Sequence, residues 1–138
     1  MAQLRRGADV IIHNVDTASF GVFQAVREVV DAGGTAWALG MNRDQNDVAP
    51  EIILGSAITR IPQAFLETVE AWRSGGLAGG PLYAGSSDDV VDFVFNPLLA
   101  ARVPADLRAR VERARALIRS GGLRVPRVAY VEGEPGLP

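Results

Sequence analysis

W-A-L-G-M-N-R-D-Q-N-D-V, Trp37 to Val48, passes from an apolar segment directly into Asn42, Arg43, Asp44, Gln45, Asn46 and Asp47. A parallel strand whose carboxyl end opens into a dense polar loop is where open α/β sheets hold their ligands. Reading upstream, Ala8 to Val15 contains Val10, Ile11 and Ile12, an uninterrupted β-branched run of the kind found in strands buried on both faces. Val22, Phe23, Val26, Val29 and Val30 then recur at helical spacing, with Asp16, Thr17 or Ser19 available as a cap. Gly33 and Gly34 end that helix, and Thr35 to Met41 returns as a strand. The unit is β-α-β, and its crossover is expected to be right-handed.

Reading downstream, Ile52 to Ile58 is expected to be a third strand, with Gly55 and Ser56 small enough to admit a close neighbour. Pro62 suits a first helical turn, and Phe65, Leu66, Val69 and Trp72 form that helix's apolar stripe. After a glycine-rich loop, Pro81 to Gly85 reads as a short strand and Val90 to Phe95 as a longer one, separated by the polar turn Ser86 to Asp89. Pro104 opens a last helix whose stripe is Leu107, Val111, Ala114, Leu117 and Ile118. Its outer face carries Arg108, Arg110, Arg113, Arg115 and Arg119, a pattern read as a solvated surface. Met1 to Gly7 resembles a final helical turn anchored by Leu4. Five strands and three long helices predict an α/β layer architecture with a mostly parallel sheet flanked by helices. Residues 1–126 make the folded unit; 127–138, with an edge strand at Val128 to Val131, read as a flexible tail.

Composition narrows the chemistry. A 138-residue chain suffices for one domain with a core, and its net charge of −2 provides no basic field for nucleic acid. All 14 cationic residues are arginine, which points to base composition of the gene rather than to a site. With no cysteine and a single histidine, His13, thiolate catalysis, disulfides and multi-histidine metal centres are excluded. The chain lacks G-x-S-x-G, Walker and G-x-G-x-x-G patterns, so the expectation is a binding protein without cofactor or metal, not an enzyme. Met1 to Val10 lacks the parts of a signal peptide, so a chain expressed as given is expected in the cytoplasm.

Several stretches together carry a family resemblance: G-A-D-V-I-I-H, G-V-F-Q-A-V, A-L-G-M-N-R-D-Q-N-D-V-A-P, I-I-L-G-S-A-I-T-R, D-D-V-V-D-F-V-F-N-P and V-P-A-D-L-R-A-R-V-E-R-A-R-A-L-I-R-S-G. Up to about Pro126 the chain resembles the basic membrane protein (Bmp) family, the substrate-binding lipoproteins of ABC transporters, whose usual ligands are purine nucleosides. The resemblance implies one lobe, the carboxyl-terminal one, of a type I periplasmic-binding-protein-like fold. It further implies a purine nucleoside or base as small-molecule ligand, a separate amino-terminal lobe that closes the cleft, an ABC permease as partner, and a place in the cell envelope. A ligand-sensing regulatory domain of the same fold, or a fragment that binds nothing, is the alternative. The lobe face left open is expected to favour self-association.

Candidate ligand residues are His13, Asn14, Asp16, Thr17, Asn42, Asp44 and Thr59. Relatives usually carry Asp at the position of Asn42, Lys at that of Thr59, and a glycine-rich loop where this chain has Asn14 to Ser19. An Asn amide donates and accepts, whereas an ionised Asp only accepts, so the exchange alters which ligand is matched. Each residue also has a plainer role open to it: Asp44 and Gln45 as turn formers, Asp16 and Thr17 as a helix cap, His13 as a structural core residue.

Overall fold

The computed structural model describes residues 1–126. Their order is α1 (Ala2–Arg5), β1 (Val10–Ile12), a 3-10 turn at Asp16–Ala18, α2 (Ser19–Asp31), β2 (Trp37–Asn42), β3 (Ile53–Thr59), α3 (Ile61–Arg73), β4 (Val91–Phe95), a second 3-10 turn at Ala100–Arg102, and α4 (Ala105–Arg119). One sheet holds the strands in the order β1-β2-β3-β4. The first three are parallel, and β4 pairs antiparallel with β3. The architecture is thus the expected mixed α/β one, with four strands among the described residues rather than five. Pro81 to Gly85 forms no strand: the Gly85 N–H is held instead by the Asp88 carboxylate at 2.9 Å in a turn. The expected Val128 strand and the tail lie outside the described residues.

The core lies between α2 and one face of the sheet. Phe23 and Val26 of α2 pack on Ala36, Ala38, Ala49, Ile52 and Ile53, all fully buried, with Ile11, Val29, Val48 and Leu4 at the margin. Leu4 therefore anchors α1, as expected of the one apolar residue in its turn. Small residues on the sheet set the close approach. An added Cβ on Gly55 would fall 2.5 Å from the Phe93 ring, so the neighbour admitted at Gly55 is an aromatic side chain of β4.

Three apolar segments are less covered than their sequence implies. Among the described residues β1 lies at the edge of the sheet, and Val10 and Ile12 are 40% and 66% exposed instead of buried on both faces. In α3 no residue is buried; Phe65 and Trp72 are 69% and 68% exposed, with Leu66 and Val69 beside them. The half-buried side of α3 is Gln63, Ala64, Glu67, Thr68 and Ala71, so this helix presents its apolar stripe outward. In α4, Leu107 and Leu117 are likewise exposed.

Besides the half-buried Val111, Ala114 and Ile118, ion pairs hold α4. Asp92 of β4, its side chain nearly buried, receives Arg115 through Nε and Nη2, both at 2.8 Å, in a forked pair. Arg119 adds Nη2 at 3.2 Å, and Arg60, following β3, reaches the same carboxylate at 3.4 Å. Asp89 accepts from both Arg60 and Arg119, and Glu112 from Arg115. The arginine face read as solvated is in part this clamp.

Candidate functional site

Parallel pairing brings the carboxyl ends of β1, β2 and β3 to one edge of the sheet. Ile12 aligns with Leu39, so His13 and Asn14 leave the sheet first; β2 continues three residues further, to Asn42. Asn42 aligns with Ile58, which places Thr59 next to it in register. All seven predicted residues lie on the three segments that emerge from this edge, though not in one cavity. His13 and Asn14 line a cavity of about 450 Å³ with Ile11, Val15, Ala18 and Val22. Asp44 lines another of about 460 Å³, together with Asn46, Phe95 and Asn96. Asp16, Thr17, Asn42 and Thr59 line neither.

The loop after β2 is built around Gln45. Its amide oxygen accepts from the Met41 N–H at 2.9 Å, and its amide nitrogen donates to Ser19 Oγ at 3.2 Å. The Gln45 N–H donates to Ser56 Oγ at 3.1 Å, and Ser56 Oγ donates to Asn46 Oδ1 at 3.3 Å. Gln45, Asn46, Ser19 and Ser56 are all buried, so this network joins α2, β2 and β3 under the site with its polar groups satisfied. Gly40 makes room for it: a Cβ there would come within 2.4 Å of Ser56 Oγ. The sequence reading placed Gln45 as a turn former and missed its reach into α2. The available signal was the pair of small residues, Gly40 and Ser56, flanking a long amide.

Asp44 takes its plainer role, its Oδ1 accepting from the Asn46 N–H at 3.0 Å as an Asx turn. The cap assignment fails. α2 has Ala18 at its N-cap and no side-chain cap bond; the chain enters through a 3-10 turn, and Ser19 faces Gln45. Asp16 and Thr17 are therefore exposed and uncommitted to a cap. Asp16 and Asn42 both have positive φ, 46° and 69°, left-handed conformations that Asx residues tolerate better than most. Two such residues on adjacent strand-end loops turn the backbone sharply at the same edge.

His13 is 6% exposed, and neither ring nitrogen has a hydrogen-bond partner among the described residues. Its ring meets Phe23 edge-to-face at 5.3 Å. Burial pushes its pKa below the ordinary imidazole value, with the nearby Gln45 side chain opposing in part. The ring is consequently neutral near pH 7, able to donate at one nitrogen and accept at the other.

Solved structures share this fold. A transcriptional activator of the comK gene from Bacillus halodurans superposes with TM-score 0.73 at 24% identity, over 88% of this chain and 40% of that one. An ABC transporter system solute-binding protein from Aeropyrum pernix K1 gives TM-score 0.74 at 19% identity, over 89% and 41%. The chain thus spans about two fifths of the length of either. It is one lobe of a type I periplasmic-binding-protein-like fold. No curated protein matches it. Residues 2–120 match the family described as Bmp, ABC transporter substrate-binding protein PnrA-like, and by that match the chain belongs to this family.

Proposed function

We propose that the chain is the carboxyl-terminal lobe of an ABC-transporter substrate-binding protein, and that it holds a purine-type small molecule at the carboxyl edge of its parallel strands. The observation that carries this reading is the convergence of His13 to Thr17, Asn42 and Thr59 on that one edge, above a loop locked by Gln45. Asn42 and Thr59 supply neutral donors and acceptors, and Asn14 offers an amide, with the buried His13 ring behind it. Asp44, engaged in its turn, serves the loop first and the ligand second. A second lobe closes the cleft, and the ligand favours the closed state by touching both halves. The permease partner and the cell-envelope location follow from the same reading.

A regulatory, ligand-sensing lobe is the second reading. It is favoured by the structural likeness to the Bacillus halodurans activator, and it would use the same edge. Titration of the isotopically labelled chain with hypoxanthine, guanosine and adenosine at millimolar concentration tests the shared site. Amide shifts are expected at residues 13–17, 42–44 and 59, and are expected to vanish in Asn42→Ala. Shifts scattered over the surface, or an unaffected Asn42→Ala titration, would remove the assignment.

A further inference from the structure

We propose that Gln45 is a positioning residue of the ligand edge. Its buried amide holds Asn42 in a γ-turn and ties that turn to the segment entering α2, so the two meet a ligand as one preset unit. The effect on binding rests on the ligand reading above, whereas the conformational part stands on the hydrogen bonds alone.

The turn is visible in the backbone. The Arg43 N–H donates to the Met41 carbonyl at 2.9 Å, two residues back, and Asn42 between them has φ 69°. That is the strained form of the γ-turn, and such a conformation persists only where its surroundings over-determine it. Gln45 supplies the constraint because of where β1 stops. The parallel ladder turns every second N–H of β2 towards β1, with Trp37 donating to the Asp9 carbonyl at 2.8 Å and Leu39 aligned with Ile12. Met41 is the next such donor, but β1 has ended at Ile12. The Gln45 side-chain oxygen takes the place of the missing carbonyl, accepting from the Met41 N–H at 2.9 Å. Just before the turn, β2 is therefore pinned on the β1 side by a side chain. On the other side it is held by its pairing with β3, which continues to Asn42 and Ile58.

The same amide reaches the second segment. Its nitrogen donates to Ser19 Oγ at 3.2 Å, and Ser19 follows Asp16, Thr17 and Ala18, which lead into α2 without a side-chain cap. Gln45 is itself fixed to β3 by its N–H on Ser56 Oγ, and it is 5% exposed. A buried side chain held at its root and bonded at both ends of its amide couples the two segments. For a ligand that touches Asn42 and the Asp16–Thr17 segment together, this presetting removes part of the ordering cost of binding.

Nuclear Overhauser effects and amide exchange on the labelled, ligand-free chain read the conformational part. In the wild type the Met41 amide is expected to exchange as slowly as that of Leu39. The intraresidue HN–Hα effect of Asn42 is expected to have the strength that a positive φ gives. Gln45→Met keeps the side chain's length without its amide. It is expected to speed Met41 exchange about tenfold, to weaken the Asn42 effect and to move the amides of residues 16–19. Gln45→Glu, which keeps the acceptor and the reach, is expected to return Asn42 and Met41 to wild-type behaviour. In the purine titration the shifts at residues 14–17 and 42 are expected to shrink about tenfold in Gln45→Met at equal ligand concentration, and to recover in Gln45→Glu. An unprotected Met41 amide in the wild type overturns the proposal, a result that needs no variant to fold. So does an unchanged Asn42 in Gln45→Met, a Gln45→Glu chain that behaves as Gln45→Met, or a full-sized titration in Gln45→Met. A wild type that answers to no purine removes the ligand reading, and the ligand-free measurements then decide the proposal alone.

Discussion

Asn42 closes β2 at φ 69°, a left-handed backbone state that itself restricts which residues fit there. Asn42→Gly is expected to leave stability nearly unchanged, while Asn42→Val, β-branched in a left-handed position, is expected to cost about 1–3 kcal/mol in urea unfolding. Asn42→Asp is expected to keep the fold and alter only ligand response. An equal loss in the glycine and valine variants would show that the side chain, not its φ, matters to stability. His13 sets a pH limb. Its folded pKa lies below the ordinary imidazole value, so on acidification the unfolded chain takes up this proton first. Stability is expected to decline as pH falls from about 6.5 towards the folded value, and His13→Asn is expected to flatten that limb. The double nature of these residues explains why sequence named them without deciding their roles. An Asx at a strand end satisfies turn geometry and ligand chemistry equally well. Only the observed hydrogen bond from the Asn46 N–H assigns Asp44 to the turn.

Elements differ in how far pattern alone determined them. β2, β3 and the core side of α2 follow directly from apolar periodicity, because their stripes find one another within the chain. The α3 stripe is as regular, yet it points outward. Replacing Phe65 or Trp72 with Gln is therefore expected to change stability by no more than about 0.5 kcal/mol while lowering aggregation. A loss of several kcal/mol would mean that the stripe is covered in solution. α4 shows the opposite case, a helix with no buried residue held by ion pairs at its arginine face. Asp92 is pushed up by burial, but the Phe93 N–H, Arg115 and Arg119 outweigh this and hold it below the usual carboxylate range. The resulting stabilisation is present in full above the ordinary carboxylate pKa and is lost as pH falls through the lower folded value. Asp92→Asn is expected to cost about 3 kcal/mol at neutral pH by leaving Arg115 only the exposed Glu112 carboxylate, and to flatten the acid limb below about pH 4. Charge count does not reveal this clamp, since the arginines and Asp92 are more than 20 residues apart in sequence.

At the scale of the molecule, an edge of strand ends is an open surface that covers a ligand on one side only. A small molecule bound there buries too little area to offset its lost freedom. The isolated 138-residue chain is thus expected to bind hypoxanthine, xanthine, guanosine and adenosine more weakly than about 100 µM by calorimetry. Micromolar or tighter affinity would contradict the need for a second lobe.

By itself the sequence determined the layer architecture, the family, and the polar loop that follows the strand in W-A-L-G-M-N-R-D-Q-N-D-V, because periodicity and strand-end polarity are local properties of the chain. Tertiary structure alone decided the rest: that V-I-I lies at the edge of the sheet among the described residues, that the α3 stripe turns outward, that Gln45 locks the loop, and that Asp92 gathers three arginines. Each depends on which element lies beside which. A strand of β-branched residues reads the same at the centre of a sheet and at its edge; only the neighbour makes the difference.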